Sequence, residues 1–203
     1  MDKPGGESVT ASRTGPRGNV YLIGPMGSGK TTIGQRVAQL LSLEFLDCDH
    51  ELEVRTGASV ALIFDVEGEA GFRDSETRML EELTARRGIL LATGGGVVLK
   101  QRNRELLRRS GLVVYLSTSV AQQIKRLRRD RSRPLIQTSD RRERLNRLAE
   151  ERNPLYEELA DIDFPSRDRS PDITARNLAE VISEHWSSED PGAATPASRQ
   201  ANL

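Results

Sequence analysis

Gly24-Pro25-Met26-Gly27-Ser28-Gly29-Lys30-Thr31 stands between a short apolar run, Val20-Tyr21-Leu22-Ile23, and a stretch with Ile33, Val37, Leu40 and Leu41 at helical spacing. Strand, glycine loop, helix is the context of a phosphate cradle. Glycines keep side chains out of the way, so main-chain N–H groups can point at phosphate oxygens. The helix start adds partial positive charge. In such a loop Lys30 reaches the β- and γ-phosphates and Thr31 offers a hydroxyl to Mg²⁺. The competing reading is a glycine turn that binds nothing, and the flanking strand and helix tell against it.

The alternation continues along the chain. Leu43–Asp47, Ile89–Thr93, Leu112–Leu116 and Asp161–Phe164 read as further strands. His50–Thr56, Ser59–Phe64, Ser75–Arg86, Arg102–Arg109, Val120–Arg129, Arg141–Leu159 and Ile173–Trp186 read as helices. This pattern predicts an α/β fold, a central parallel five-stranded sheet with helices on both faces. Ligands then sit at the carboxyl ends of the strands. Those ends carry the phosphate loop, Asp47–Asp49, Gly94–Gly96 and the segment after Leu116. Residues 1–18 are polar and rich in Gly, Pro and Ser, and 187–203 are similar, so both are expected to be disordered extensions of a folded unit at 19–186.

A length of 203 residues suffices for one such domain. The formal net charge is zero, so bulk charge points to no partner. Residues 102–152 are locally cationic, with fourteen Arg and Lys125 against six acids. That segment admits a nucleic-acid-binding reading, but the acids are interleaved within amphipathic helices, as on a solvated face. Cys48 is the only cysteine, which excludes an intrachain disulfide and fits a reducing compartment. No run approaches the roughly 18 apolar residues of a membrane span, and the N-terminus lacks the apolar centre of a secretory signal. The expectation is a cytoplasmic monomer with no nucleic-acid or membrane partner.

Several side chains suit phosphoryl transfer. Asp47 and Asp49, two apart along a strand, would share a face. One can orient Mg²⁺ or its waters and the other can accept a proton from an attacking hydroxyl; alternatively Asp49 caps the next helix. Arg73 follows an acidic, glycine-rich turn at Glu67–Gly71 and is either a surface residue or a fork for a carboxylate. Gly94-Gly95-Gly96 permits close approach of backbone to a ligand, or makes a tight turn. The basic run Arg126 to Arg133 is either a solvated helix face or a lid that brings Arg133 onto the transferring phosphoryl group. Phe64 and Phe72 flank the acceptor region, where core packing explains them equally well. Cys48, His50 and His185 form neither a metal cluster nor a nucleophile–base pair.

Taken together, the chain resembles the shikimate kinases from about Asn19 to Phe164. The resemblance is carried by GPMGSGKTT at 24–32, FLDCD at 45–49, RTGASVALIF at 55–64, EGEAGFRD at 67–74, LATGGGV at 91–97, RPLI at 133–136 and ERNPLYEELA at 151–160. The first motif is shared by many nucleotide-binding proteins; the set in this order is specific. It implies a three-layer P-loop kinase fold with a mobile lid at about 126–140. The activity implied is Mg²⁺-dependent transfer of the ATP γ-phosphoryl group to the 3-hydroxyl of shikimate, toward chorismate and the aromatic amino acids. By this resemblance Gly27, Ser28, Gly29, Lys30, Thr31 and Thr32 hold the ATP phosphates. Thr31 ligates Mg²⁺ directly and Asp47 does so through water. Asp49 binds the acceptor hydroxyls and acts as base. Arg73, Gly94, Gly95, Gly96 and Arg152 bind shikimate, with the two arginines on its carboxylate, and Phe64, Phe72 and Glu76 shape its pocket. Arg133 is the lid arginine, Arg126 lies against adenine, and Arg169 belongs to a loop at 165–170 that closes over the base. Transfer is expected to be direct and in line, without a phosphoenzyme. The alternatives are a kinase of the same architecture for gluconate or a nucleoside monophosphate, and a catalytically silent ATP-binding regulator.

Overall fold

Strands buried on both faces need helices above and below them, and the chain supplies them in alternation. The computed structural model describes residues 18–128, 140–166 and 170–189. In chain order the elements are β1 (Asn19–Ile23), α1 (Lys30–Leu41), β2 (Glu44–Asp47), α2 (Cys48–Thr56), α3 (Val60–Thr84), β3 (Ile89–Ala92), a 3₁₀ turn (Val97–Leu99), α4 (Gln101–Ser110), β4 (Gly111–Ser117), α5 (Val120–Leu127), α6 (Arg141–Leu159), β5 (Ile162–Pro165) and α7 (Pro171–Glu189). The sheet order is β2-β3-β1-β4-β5, and every pairing is parallel. Val20 of β1 pairs with Leu90 on one side and Leu112 on the other.

The period of two along β1 sorts the core. Val20 and Leu22 face Ile33, Val37, Leu178 and Ile182 of α1 and α7. Tyr21 and Ile23 face the opposite layer, with Leu52, Ile63, Leu80, Leu107 and Tyr156 of α2, α3, α4 and α6. A third cluster, Met26, Leu127 and Leu145, joins the phosphate loop to α5 and α6. The edge strands β2 and β5 have four residues each, which keeps their unpaired backbone short.

Two expectations need adjusting. The turn expected at Glu67–Gly71 narrows to a kink at one residue. Within α3 only Gly68 leaves helical geometry, at φ 69° and ψ −180°, and it divides two helical stretches. A positive φ there suits glycine alone, so the helix bends at one residue and resumes at once. Arg73 therefore sits in a helix, on a buried face with Phe72, Glu76, Met79 and Leu80. Residues 187–189, expected in the C-terminal tail, belong to α7, which extends to Glu189. Residues 1–17 and 190–203 lie outside the described residues. Among the described residues no helix is long and apolar enough to cross a membrane.

Gly34 lets α1 approach the sheet closely. A Cβ there would lie 2.9 Å from both Leu22 Cδ1 and Phe45 Cε2 and 3.1 Å from Leu90 Cδ2. Gly34→Val is expected to lower unfolding stability by about 1–3 kcal/mol through overpacking. Urea denaturation measures this, and an unchanged midpoint would contradict the close seating of α1.

Candidate active site

The carboxyl ends of β1, β2 and β3 deliver the site. After Ile23 the loop passes through Gly24, Gly27 and Gly29, all at positive φ. A Cβ on Gly24 would lie 2.7 Å from the Leu116 carbonyl, so only glycine lets the loop cross the end of β4. α1 starts at Lys30, and no side chain caps it. Its first N–H groups therefore have no side-chain acceptor and face the loop, as an anion site requires. Lys30 Nζ donates to the carbonyls of Gly24 and Pro25 at 2.7 and 3.0 Å. Ser28 is fully buried, and its hydroxyl has no hydrogen-bond partner.

Thr31 and the two aspartates meet beside this loop, but by a different route from the one the sequence suggests. β2 ends at Asp47, and Asp49 lies in the first turn of α2. Asp47, not Asp49, is the helix cap: its Oδ1 accepts from the Asp49 N–H at 3.1 Å. Its Oδ2 accepts from Thr31 Oγ1 at 2.7 Å. The strand argument for a shared face thus gives way to strand end and helix start. Both carboxylates still line one cleft of about 270 Å³, together with Lys30, Thr31, Thr32, Thr93 and Gly95.

On the far side α3 contributes Arg73 and Glu76, three positions apart and hence neighbours on the helix. Arg73 Nη1 donates to Glu76 Oε2 at 2.8 Å, and Arg73 Nη2 reaches Glu69 Oε1 at 3.4 Å. Arg73 and Glu76 are both buried. Arg73 Cζ lies 5.1 Å from the Phe72 ring centre and 5.9 Å from that of Phe64. The two rings stack at 4.3 Å. Cation–π attraction and packing thus hold the guanidinium in place. Burial raises the Glu76 carboxyl above its ordinary range, and the charge of Arg73 opposes that rise. Arg73 Nε and Glu76 Oε1 are buried with no hydrogen-bond partner in the protein.

The glycine triplet explains this packing. A Cβ on Gly94 would lie 2.7 Å from Glu76 Oε1 and 3.1 Å from Asp49 Oδ1. One on Gly96 would overlap the Arg73 guanidinium. Gly94 and Gly96 therefore make room for the protein's own charged side chains. The Gly95 carbonyl accepts from Arg152 Nη1 at 3.4 Å and from the Tyr156 hydroxyl. Arg152, on α6, is buried; its Nε lies 3.6 Å from Glu151 Oε2 and makes no hydrogen bond. Tyr156, one turn on, stacks on Tyr115 at 5.0 Å. Burial pushes its phenol well above the ordinary range, so it stays a donor.

Tyr156 and Ser166 escape the sequence reading. Tyr156 has a signal, its four-residue spacing from Arg152 on one helix face. Ser166 has none, because it meets Arg126 only through the fold: Arg126 Nη1 donates to Ser166 Oγ at 3.0 Å and also to the Gly27 carbonyl at 3.0 Å. Arg133, Arg169 and most of the expected lid at 126–140 lie outside the described residues. Cys48 is buried, and that burial pushes its thiol well up, as in an inert core residue.

One cleft thus carries the phosphate loop, Asp47, Asp49 and Gly95, and Gly95 is bonded in turn to the buried Arg152. The model of the family described as shikimate kinase matches residues 26–183. The chain belongs to the shikimate kinase family. A shikimate kinase of Vibrio cholerae is 50% identical over 167 residues, covering 82% of this chain and 96% of that protein. The structure of shikimate kinase from Acinetobacter baumannii in complex with shikimate aligns with TM-score 0.79 at 46% identity, covering 86% of this chain and 95% of the other. A gluconokinase from Sinorhizobium meliloti aligns at TM-score 0.59 with 16% identity, over 86% and 97% of the two chains, and shares the fold alone.

In this shikimate kinase family member Gly96→Ala is expected to displace the Arg73 guanidinium. The acceptor KM should rise roughly tenfold or more, with the KM for ATP nearly unchanged. Steady-state kinetics with each substrate varied tests this, and equal loss for both substrates would contradict the separate acceptor side.

Proposed function

We propose that the chain catalyses transfer of the γ-phosphoryl group of ATP to the 3-hydroxyl of shikimate, giving shikimate 3-phosphate and ADP on the route to chorismate and the aromatic amino acids. The observation that carries this reading is the cleft itself. A triphosphate cradle and a carboxylate, Asp49, share it, and the buried guanidinium groups of Arg73 and Arg152 stand beside Gly94–Gly96, each with a donor atom that makes no hydrogen bond in the protein. Shikimate is a hydroxylated ring with one carboxylate, so it complements a proton acceptor set opposite two arginines.

In this reading the backbone of Gly27–Thr32 holds the phosphates. Lys30 leaves the Gly24 and Pro25 carbonyls to neutralise charge on the transferring group. The hydroxyl of Thr31 and the carboxylate of Asp47 are hard oxygen donors, few in number, which suits an ion that keeps several waters. Thr31 directly and Asp47 through water would hold Mg²⁺, which would supply neutralisation of phosphate charge. Asp49 takes the proton from the attacking hydroxyl. Arg73 and Arg152 grip the carboxylate, Glu76 fixes Arg73, and Phe64 and Phe72 exclude water from the apolar face of that guanidinium. Arg133 completes the charge around the phosphoryl group, and Arg126 and Arg169 serve the base side. Positioning and charge suffice for in-line transfer, so no phosphoenzyme forms.

The nucleic-acid reading loses support from the use of the arginines. Arg104 donates to the Val98 carbonyl at 2.6 Å, Arg108 to the Glu158 carbonyl at 2.9 Å, and Arg126 and Arg152 serve the cleft. A coupled ADP-release assay with ATP, Mg²⁺ and a panel of shikimate, gluconate and nucleoside monophosphates tests the acceptor. Shikimate alone should be turned over efficiently, and preference for any other member would overturn the assignment. Lys30→Ala should lower kcat by at least about 10²-fold while circular dichroism stays unchanged; full activity in that variant would sink the role of the loop.

A further inference from the structure

Phosphate loops bind through N–H groups turned inward, so their carbonyls turn outward and need donors of their own. Lys30 serves those of Gly24 and Pro25. The carbonyls of Gly27 and Ser28 are served from another element: both accept from Arg126 Nη1 on α5, at 3.0 and 3.3 Å. The same guanidinium donates to Ser166 twice, from Nη1 to Oγ at 3.0 Å and from Nη2 to the carbonyl at 3.1 Å. Ser166 is buried, and its N–H is fixed on the Ser117 carbonyl at 2.8 Å. α5 sits directly on the loop, since a Cβ on Gly27 would lie 3.2 Å from Leu127 Cγ and 3.6 Å from Gln123 Cα.

We propose that Arg126 is a positioning residue for the phosphate loop, holding the peptides 27–28 and 28–29 with their carbonyls outward so that the loop is formed before the triphosphate arrives. The inference rests on the kinase reading, but it is separate from any contact of this side chain with adenine. A peptide unit is planar and trans, so the carbonyl of Ser28 and the N–H of Gly29 point opposite ways. Turning that carbonyl toward Arg126 turns the Gly29 N–H toward the cradle. Both flanks are glycines, Gly27 at φ 75° and Gly29 at φ 100°, with little of their own to resist a peptide flip. A planar fork of donors can bind two loop carbonyls and Ser166 at once, whereas an ammonium is a single point. The fork thereby ties the loop to the junction of β4 and β5.

The test compares Mg²⁺–ATP with Mg²⁺–tripolyphosphate, which carries no base, for the wild-type full chain, Arg126→Ala and Arg126→Lys. Calorimetry gives the affinities, kinetics gives kcat at saturating ATP, and shikimate binding reports the integrity of the remaining site. Arg126→Ala is expected to weaken both triphosphates together, roughly tenfold, and to lower kcat; Arg126→Lys should do so less. Shikimate affinity should stay within about twofold. Loss confined to ATP, with tripolyphosphate binding and kcat unchanged, would leave Arg126 a contact to the base only and overturn the inference. A parallel loss of shikimate affinity would also overturn it, since that marks general damage. If Arg126→Ala does not fold, Arg126→Lys decides by the same criteria. Wild-type protein that binds neither triphosphate would remove the kinase reading and this inference with it, whereas variants that bind like wild type remove the inference alone.

Discussion

Arg73, Glu76 and Asp49 converge on the space that Gly94 and Gly96 leave beside β3, and they can do so because no Cβ occupies it. Bringing a guanidinium and carboxylates out of water is costly, and an ion pair of this kind is weak evidence for stability. The raised carboxyl of Glu76 and its unpartnered Oε1 mark that cost. The arrangement makes sense as a binding device. Arg73 is fixed by Glu76 on one side and by two stacked rings on the other, so little rotamer freedom remains to be lost when a carboxylate arrives.

The same logic governs the phosphate loop. Donors for developing charge act best when they are already aimed and need no reorganisation at the moment of transfer. The outward carbonyls of Gly24, Pro25, Gly27 and Ser28 are all engaged, by Lys30 or by Arg126. Lys30 and Arg126 differ in consequence. In the proposed reaction Lys30 exchanges its carbonyls for phosphate when nucleotide binds, while Arg126 keeps its own. On that proposal one cation belongs to the reaction, and the other to the frame in which it occurs.

Much of this was legible in the sequence because it is local. Apolar runs with a period of two or a helical period set all five strands and the limits of α6, Arg141–Leu159, and the glycine spacing set the phosphate loop. What escaped depends on contacts between distant segments or on a single dihedral. The glycine-rich stretch at 67–71 does hold a break, but only Gly68 uses its freedom, and how soon the next helical stretch begins depends on the burial of Phe72 and Leu80 beyond it. Capping by Asp47 rather than Asp49 depends on where β2 stops, a boundary that periodicity fixes only to within a few residues. For the triplet 94–96 the sequence leaves two readings open, close approach of backbone to a ligand and a tight turn. The room at Gly94 and Gly96 is filled from within the protein, which no pattern within those three residues could reveal.

Gly95 shows how the two halves keep their spacing. A Cβ on it would lie 3.6 Å from both the Gly24 carbonyl and the Met26 N–H nitrogen, ordinary contact distance, so the gap between its backbone and the phosphate loop is about one methyl group wide. Its carbonyl holds Arg152 and Tyr156 on α6. A single residue beyond β3 thus lies beside the phosphate loop and anchors Arg152. In-line transfer is sensitive to separations on the scale of an ångström. Here both halves spring from adjacent strands of one parallel sheet, whose close-packed interior resists deformation, so residues carried on four different helices share one frame.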